Sequence, residues 1–181
     1  MSESMAGFIT FFDDVEGHIC LRINRLSRRA WIRRFFSLIS KLGDGGFWAL
    51  MATGLYFIRG SQALPLIVLM ALTGLAGVVI YKQLKSRLVR ERPYISHGEI
   101  LCGTAPLDRY SFPSGHTLHA VSFSILLWSF EPALAFVAVP FALLVAASRV
   151  ILGLHYPSDV IVGAAIGAAL ATASLALYWK V

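Results

Sequence analysis

Residues 61–81 read SQALPLIVLMALTGLAGVVIY, 21 residues without a charge. At 1.5 Å per residue such a run makes a helix of roughly 32 Å, the thickness of a bilayer's hydrocarbon core. A soluble core can hold one helix of this kind. Four more charge-free runs, at 45–58, 117–130, 132–148 and 160–179, imply lipid as the solvent. The composition agrees, at 57% hydrophobic and 14% charged, against about 45–50% and about 25% in soluble domains. The expected fold is an all-α integral membrane helical bundle of about five transmembrane helices. The runs at 45–58 and 117–130 are short, so flanking polar residues must lengthen them, with Arg59 snorkelling from one end.

Residues 1–44 differ in kind. Arg22, Arg25, Arg28, Arg29, Arg33 and Arg34 alternate with Leu21, Leu26, Trp31, Phe35, Phe36, Leu38 and Ile39. This is the pattern of a basic amphipathic helix lying in the membrane interface. The Gly43-Asp44-Gly45-Gly46 turn then separates an arm, 1–44, from a membrane domain, 45–181. Asp13, Asp14 and Glu16 break the only early apolar stretch, so no signal peptide is expected. The net charge of +6 suits a basic rim facing anionic headgroups, and no nucleic-acid partner is expected. Cys20 and Cys102 match no metal spacing and read as ordinary thiols. In the last run, Gly163 and Gly167 are four apart among alanines, a pattern for close helix packing within the bundle or between copies.

Alternating the spans across a membrane brings four ends to one face. They lie near Lys85, Ser114, Arg149 and Asp159. The other face offers little that is polar beyond Arg59, Glu131 and Lys180. Ionisable residues at spans are costly and usually functional. Three clusters meet on the polar face. In the first, Lys85 precedes Arg92-Pro93 by two helical turns, which puts both cations on one helix face. Pro93 disfavours helix at Arg92 and lets it turn inward. Lys82, Arg87 and Arg90 are assigned to the headgroup layer. In the second, Phe112-Pro113-Ser114-Gly115-His116, Ser114 is an N-cap and Gly115 admits a ligand close to the backbone. His116 then lies in the first turn of a helix whose free N–H groups suit phosphate. In the third, Ser148-Arg149, His155 and Asp159, the last two are four apart and meet if helix begins by His155. A carboxylate beside an imidazole fixes its tautomer and stabilises its cation. A proton relay or half of a metal site would use the same pair. His97, Glu99 and Asp108 are further metal donors in type, without tight spacing.

The three clusters together resemble the type 2 phosphatidic acid phosphatase superfamily. Its pattern is met at Lys85, Arg92 and Pro93, at Pro113 to His116, and at Ser148, Arg149, His155 and Asp159. The resemblance implies a hydrolase that needs neither metal nor cofactor and works through a phosphohistidine. It casts His155 as nucleophile, Asp159 as its orienting carboxylate and His116 as general acid and base. Lys85, Arg92, Ser114, Gly115 and Arg149 bind the phosphoryl oxygens. The substrate is a lipid phosphate or pyrophosphate, undecaprenyl pyrophosphate first by resemblance to small bacterial members. Phosphatidylglycerophosphate or phosphatidic acid comes next. Vanadate-dependent haloperoxidases share such a pocket but are soluble and larger. A lipid phosphotransferase, or a membrane channel or transporter without catalysis, is the remaining alternative. Oligomeric state is left open.

The resemblance places the protein in a bacterial inner membrane with the site on the outer face. The charge bias points the other way. Of 16 Lys and Arg, 14 lie on the active face, which the positive-inside rule assigns to the cytoplasm.

Overall fold

The computed structural model describes residues 15–180. No strand occurs among them. A helix over 15–24, α1, passes through a tight turn at Arg25–Arg28 into α2, Ala30–Lys41. A wide helical turn, Leu42–Gly46, leads to α3, Phe47–Arg59. A second tight turn, Gly60–Ala63, leads to α4, Leu64–Arg87. The short α5, Pro93–Ser96, begins the connection to α6, Gly115–Phe130. Helices α7, Pro132–Ile151, and α8, Pro157–Tyr178, complete the bundle.

Among the described residues, three helical stretches are long and apolar enough to cross a membrane. One falls within 30–87, and the others are α7 and α8. Helices α3 and α6 have 13 and 16 residues, below that length.

Helix α6 is the centre, packed on α4, α7 and α8. The α6–α8 contact needs glycine. A Cβ on Gly163 would lie 2.5 Å from the Ser114 carbonyl oxygen, and one on Gly167 only 2.3 Å from that of Leu118. The small-residue pair therefore seats α8 against α6 within one chain. His119 ties α6 to α4, with its two ring nitrogens 2.8 and 3.0 Å from the carbonyl oxygens of Gly115 and Gly74.

The bundle has two unlike ends. At one, Arg59 pairs with Glu131 at 2.8 Å and Phe130 stacks on Trp179. At the other, four motif-bearing segments converge with the start of α3. This is the arrangement that alternating spans predict.

The arm is part of that second end. Ile32 and Ile39 of α2 are buried, while Trp31, Phe35 and Leu38 beside them are exposed. Asn24 is buried and bridges two segments, donating to the carbonyls of Leu101 and Ile151 at 2.9 Å each. Ser27 donates to the Ile151 carbonyl as well, at 2.6 Å. Asp13 and Asp14, read above as interrupting an apolar stretch, lie outside the described residues.

Candidate active site

Lys85, Arg92, Gly115, His116, Arg149 and His155 all line one cavity of about 320 Å³. Ser114 and Asp159 stand directly behind it, fully buried. The remaining walls are largely apolar, with Trp48, Val78, Tyr81 and Phe123 among them.

The first cluster assembles differently from the helical spacing. Helix α4 ends at Arg87, and Arg92 is extended (φ −80, ψ 151), as the following proline requires. Lys85 and Arg92 therefore do not share a helix face. Asp108 draws them together instead. Lys85 Nζ donates to both Asp108 oxygens at 2.7 and 2.8 Å, and Arg92 Nη2 to Oδ1 at 2.8 Å. Arg92 Nη1 also donates to the Leu154 carbonyl at 2.8 Å and lies 3.3 Å from His155 Nε2.

The second cluster has the expected capping geometry. Ser114 is extended, and its hydroxyl accepts from the Thr117 N–H at 3.4 Å. Its own N–H donates to the Asp159 carbonyl at 3.0 Å, which locks the start of α6 onto α8. A Cβ on Gly115 would press on the Tyr81 ring at 3.2 Å. His116 Nε2 contacts Asp44 Oδ1.

In the third cluster helix starts at Pro157, later than the His155–Asp159 pairing was expected to need. The pair forms nonetheless, with Nδ1 of His155 3.4 Å from Oδ2 of Asp159. That is the outer limit of a hydrogen bond and is not aligned as one, so His155 Nδ1 counts among the buried unbonded atoms. Asp159 folds back over its helix end, accepting from the Tyr156 N–H at 2.9 Å. Its other oxygen accepts from Arg90 at 2.8 Å. Arg149 is buried, donates to Ser40 Oγ, and keeps Nε without a partner.

His155 lies in the loop between α7 and α8. Burial, reinforced by Arg149, Arg92 and Lys85, holds its pKa well below the ordinary histidine value. The ring is therefore neutral at neutral pH. A proton on Nδ1, facing Asp159, leaves the Nε2 lone pair beside Arg92.

Arg90 is a correction. Assigned above to the headgroup layer, it is mostly buried. It joins Asp159 to Glu16 of α1 at 2.8 and 2.7 Å and stacks 4.0 Å from the Tyr156 ring centroid. Glu16 also accepts from the N–H and hydroxyl of Ser158 at 2.7 Å each. Glu16, Ser40, Asp44 and Asp108 are thus site residues that the motifs do not mark. A weak signal existed for two of them. Glu16 interrupts an apolar stretch, and Asp44 stands among glycines at the start of an apolar run.

The candidate metal donors do not gather. His97 packs beside Gly17 and Tyr156, and Glu99 lines a separate hollow with Arg22, Arg25 and Arg28. Cys20 is buried, and burial with Glu16 nearby pushes its thiol up to about 12. It donates weakly to the His155 carbonyl at 3.8 Å and is a packing residue.

Comparison with known proteins identifies the family. The profile of the PAP2 superfamily matches residues 62–181, and the chain belongs to that superfamily. It is 39% identical over 90 residues to decaprenylphosphoryl-5-phosphoribose phosphatase of Mycolicibacterium smegmatis, covering 49% of this chain and 44% of that protein. It is 30% identical over 114 residues to undecaprenyl-diphosphatase BcrC of Bacillus subtilis, covering 63% and 58%. The chain thus spans about half the length of these curated relatives. Among solved structures, LpxE of Aquifex aeolicus superposes with a TM-score of 0.72 at 29% identity, over 87% of this chain and 93% of that one. The transmembrane PAP2-type phosphatidylglycerolphosphate phosphatase of Bacillus subtilis shares the fold, with a TM-score of 0.60 at 22% identity, over 100% and 98%. With its apolar helices, the chain is a membrane protein.

Proposed function

We propose that this protein is a lipid phosphatase that works through a phosphohistidine and needs no metal. One observation carries the reading. His155 Nε2 faces a cavity that also holds Lys85, Arg92, Arg149 and His116, while its Nδ1 faces Asp159.

The chemistry runs in two steps. His155 Nε2 attacks phosphorus as the bond to the leaving oxygen breaks, the ester oxygen of a monophosphate or the bridging oxygen of a pyrophosphate. His116 gives that oxygen a proton, and Asp159 stabilises the imidazolium formed at His155. Water then attacks the phosphohistidine, His116 takes its proton, and the P–N bond breaks to release phosphate. Lys85, Arg92 and Arg149 neutralise the phosphoryl oxygens, with Ser114 and the Gly115 N–H shaping the helix end behind them. Arg149 lines the cavity with its Nε still without a partner.

Undecaprenyl pyrophosphate is the first substrate to test. Two relatives are named for polyprenyl phosphates, and apolar cavity walls suit a long chain. Phosphatidylglycerophosphate or phosphatidic acid is the second reading, favoured by the basic character of the active face. In this reading α3, α4, α6, α7 and α8 each span the membrane, α2 lies at the interface, and the membrane is a bacterial inner one. A reporter fused after Lys180 reads the side opposite the site. The decisive experiment is phosphate release from a panel of lipid phosphates by the purified protein, with His155→Ala as control. Release that survives EDTA and needs no second lipid separates hydrolysis from metal catalysis and from transfer.

A further inference from the structure

We infer that Asp44 is a positioning residue for His116, a histidine–carboxylate pair built from the segment upstream of the family motifs. The inference rests on the reading of His116 as general acid and base.

Asp44 is 72 residues from His116 in sequence. A defined turn brings them together. Gly45 has φ +142, a conformation that side-chain-bearing residues rarely adopt, and it bends the chain from α2 into α3. Gly43 is pressed against α7, where an added Cβ would lie 3.1 Å from Val145. The aspartate between these glycines lines the cavity, and its Oδ1 meets Nε2 of His116.

The charges around His116 give the contact its purpose. Lys85 on α4, Arg149 on α7 and His155 on the α7–α8 loop share the cavity. Each is cationic, at rest or during reaction, and opposes a proton on His116. Tyr81 adds no charge, and His119 turns both nitrogens to backbone carbonyls. Asp108 is already committed to Lys85 and Arg92. Asp44 is the carboxylate in contact with His116. It holds the ring and favours the imidazolium that must hand a proton to the departing lipid oxygen.

Leaving-group dependence tests this. An alkyl-ester lipid phosphate needs a general acid, whereas para-nitrophenyl phosphate has a leaving group that departs unaided. For purified full-length Asp44→Asn, kcat on the best-hydrolysed alkyl-ester monophosphate of the panel, phosphatidic acid or phosphatidylglycerophosphate, should fall about a hundredfold, within the range general-acid catalysis supplies. On para-nitrophenyl phosphate it should fall only about threefold, which also shows that the variant is folded. Asp44→Glu should recover part of the lipid activity. Equal losses on both substrates, or wild-type activity of Asp44→Asn on both, would overturn the role. If the wild type hydrolyses nothing in the panel, or His155→Ala keeps full activity, the phosphatase reading itself fails and takes this inference with it.

Discussion

The two histidine–carboxylate pairs differ in how they are held. Asp159 is fully buried, its oxygens taken by Arg90 and the Tyr156 N–H. Asp44 has about a third of its side chain exposed (35%) and sits on a glycine turn. The first pair is enclosed by protein, and the second sits at a turn that leaves its carboxylate partly open to solvent. A nucleophile must be aimed at one atom along one line, which rewards immobility. A proton donor must serve a lipid oxygen and then a water, which stand in different places. The contrast in mounting suits the two tasks proposed for His155 and His116.

That comparison can be broken at several points. The largest effect belongs to His155→Ala, which should lower turnover on the order of 10⁴-fold or more and abolish the radiolabelled phosphoenzyme. A labelled variant would move the nucleophile elsewhere. Asp159→Asn should follow, at about a thousandfold in kcat, because an amide permits the wrong tautomer of His155. A loss under tenfold in the folded variant would mean that Arg92 and the loop orient His155 by themselves.

The pH profile probes the same ring. Its pKa is lowered, so the reactive neutral form persists as pH falls through the usual histidine value. The acid limb of kcat/KM should therefore lie below about pH 6.5, once the ionisation of the substrate is allowed for. A limb above that value would place a charged His155 in the free enzyme.

Two smaller effects sharpen the picture of the surroundings. Asp108→Asn should tighten inhibition by inorganic phosphate about tenfold, because the carboxylate that now occupies Lys85 and Arg92 would be gone. Unchanged or weaker inhibition would make Asp108 a scaffold for the two cations. Glu16→Gln should cost about 2 kcal/mol, seen as a thermal shift of a few degrees in detergent. No shift would mean that Arg90 and Ser158 are held without it.

The legible part of this molecule was written locally. Charge-free runs gave the apolar helices, Ser114 marked one helix start, and the three short clusters named most of the charged residues of the cavity. What escaped depends on long-range closure. The spacing of Lys85 and Arg92 suggested a shared helix face, but the chain leaves helix at Leu88 and a distant aspartate joins them. Arg90 looked like one more interfacial cation. Only the folded chain sets it between Glu16 and Asp159, 74 and 69 residues away. Ser40 reaches Arg149 across 109 residues, and no periodicity encodes such a contact.

The matched region begins at residue 62, yet Glu16, Ser40, Asp44 and Trp48 precede it. A chimera joined near that boundary would carry every signature residue and a foreign set of supports for them. Its failure to turn over would say nothing about the grafted motifs. Exchange between relatives should therefore move 15–61 together with the rest, because the unit that closes the cavity is larger than the matched region.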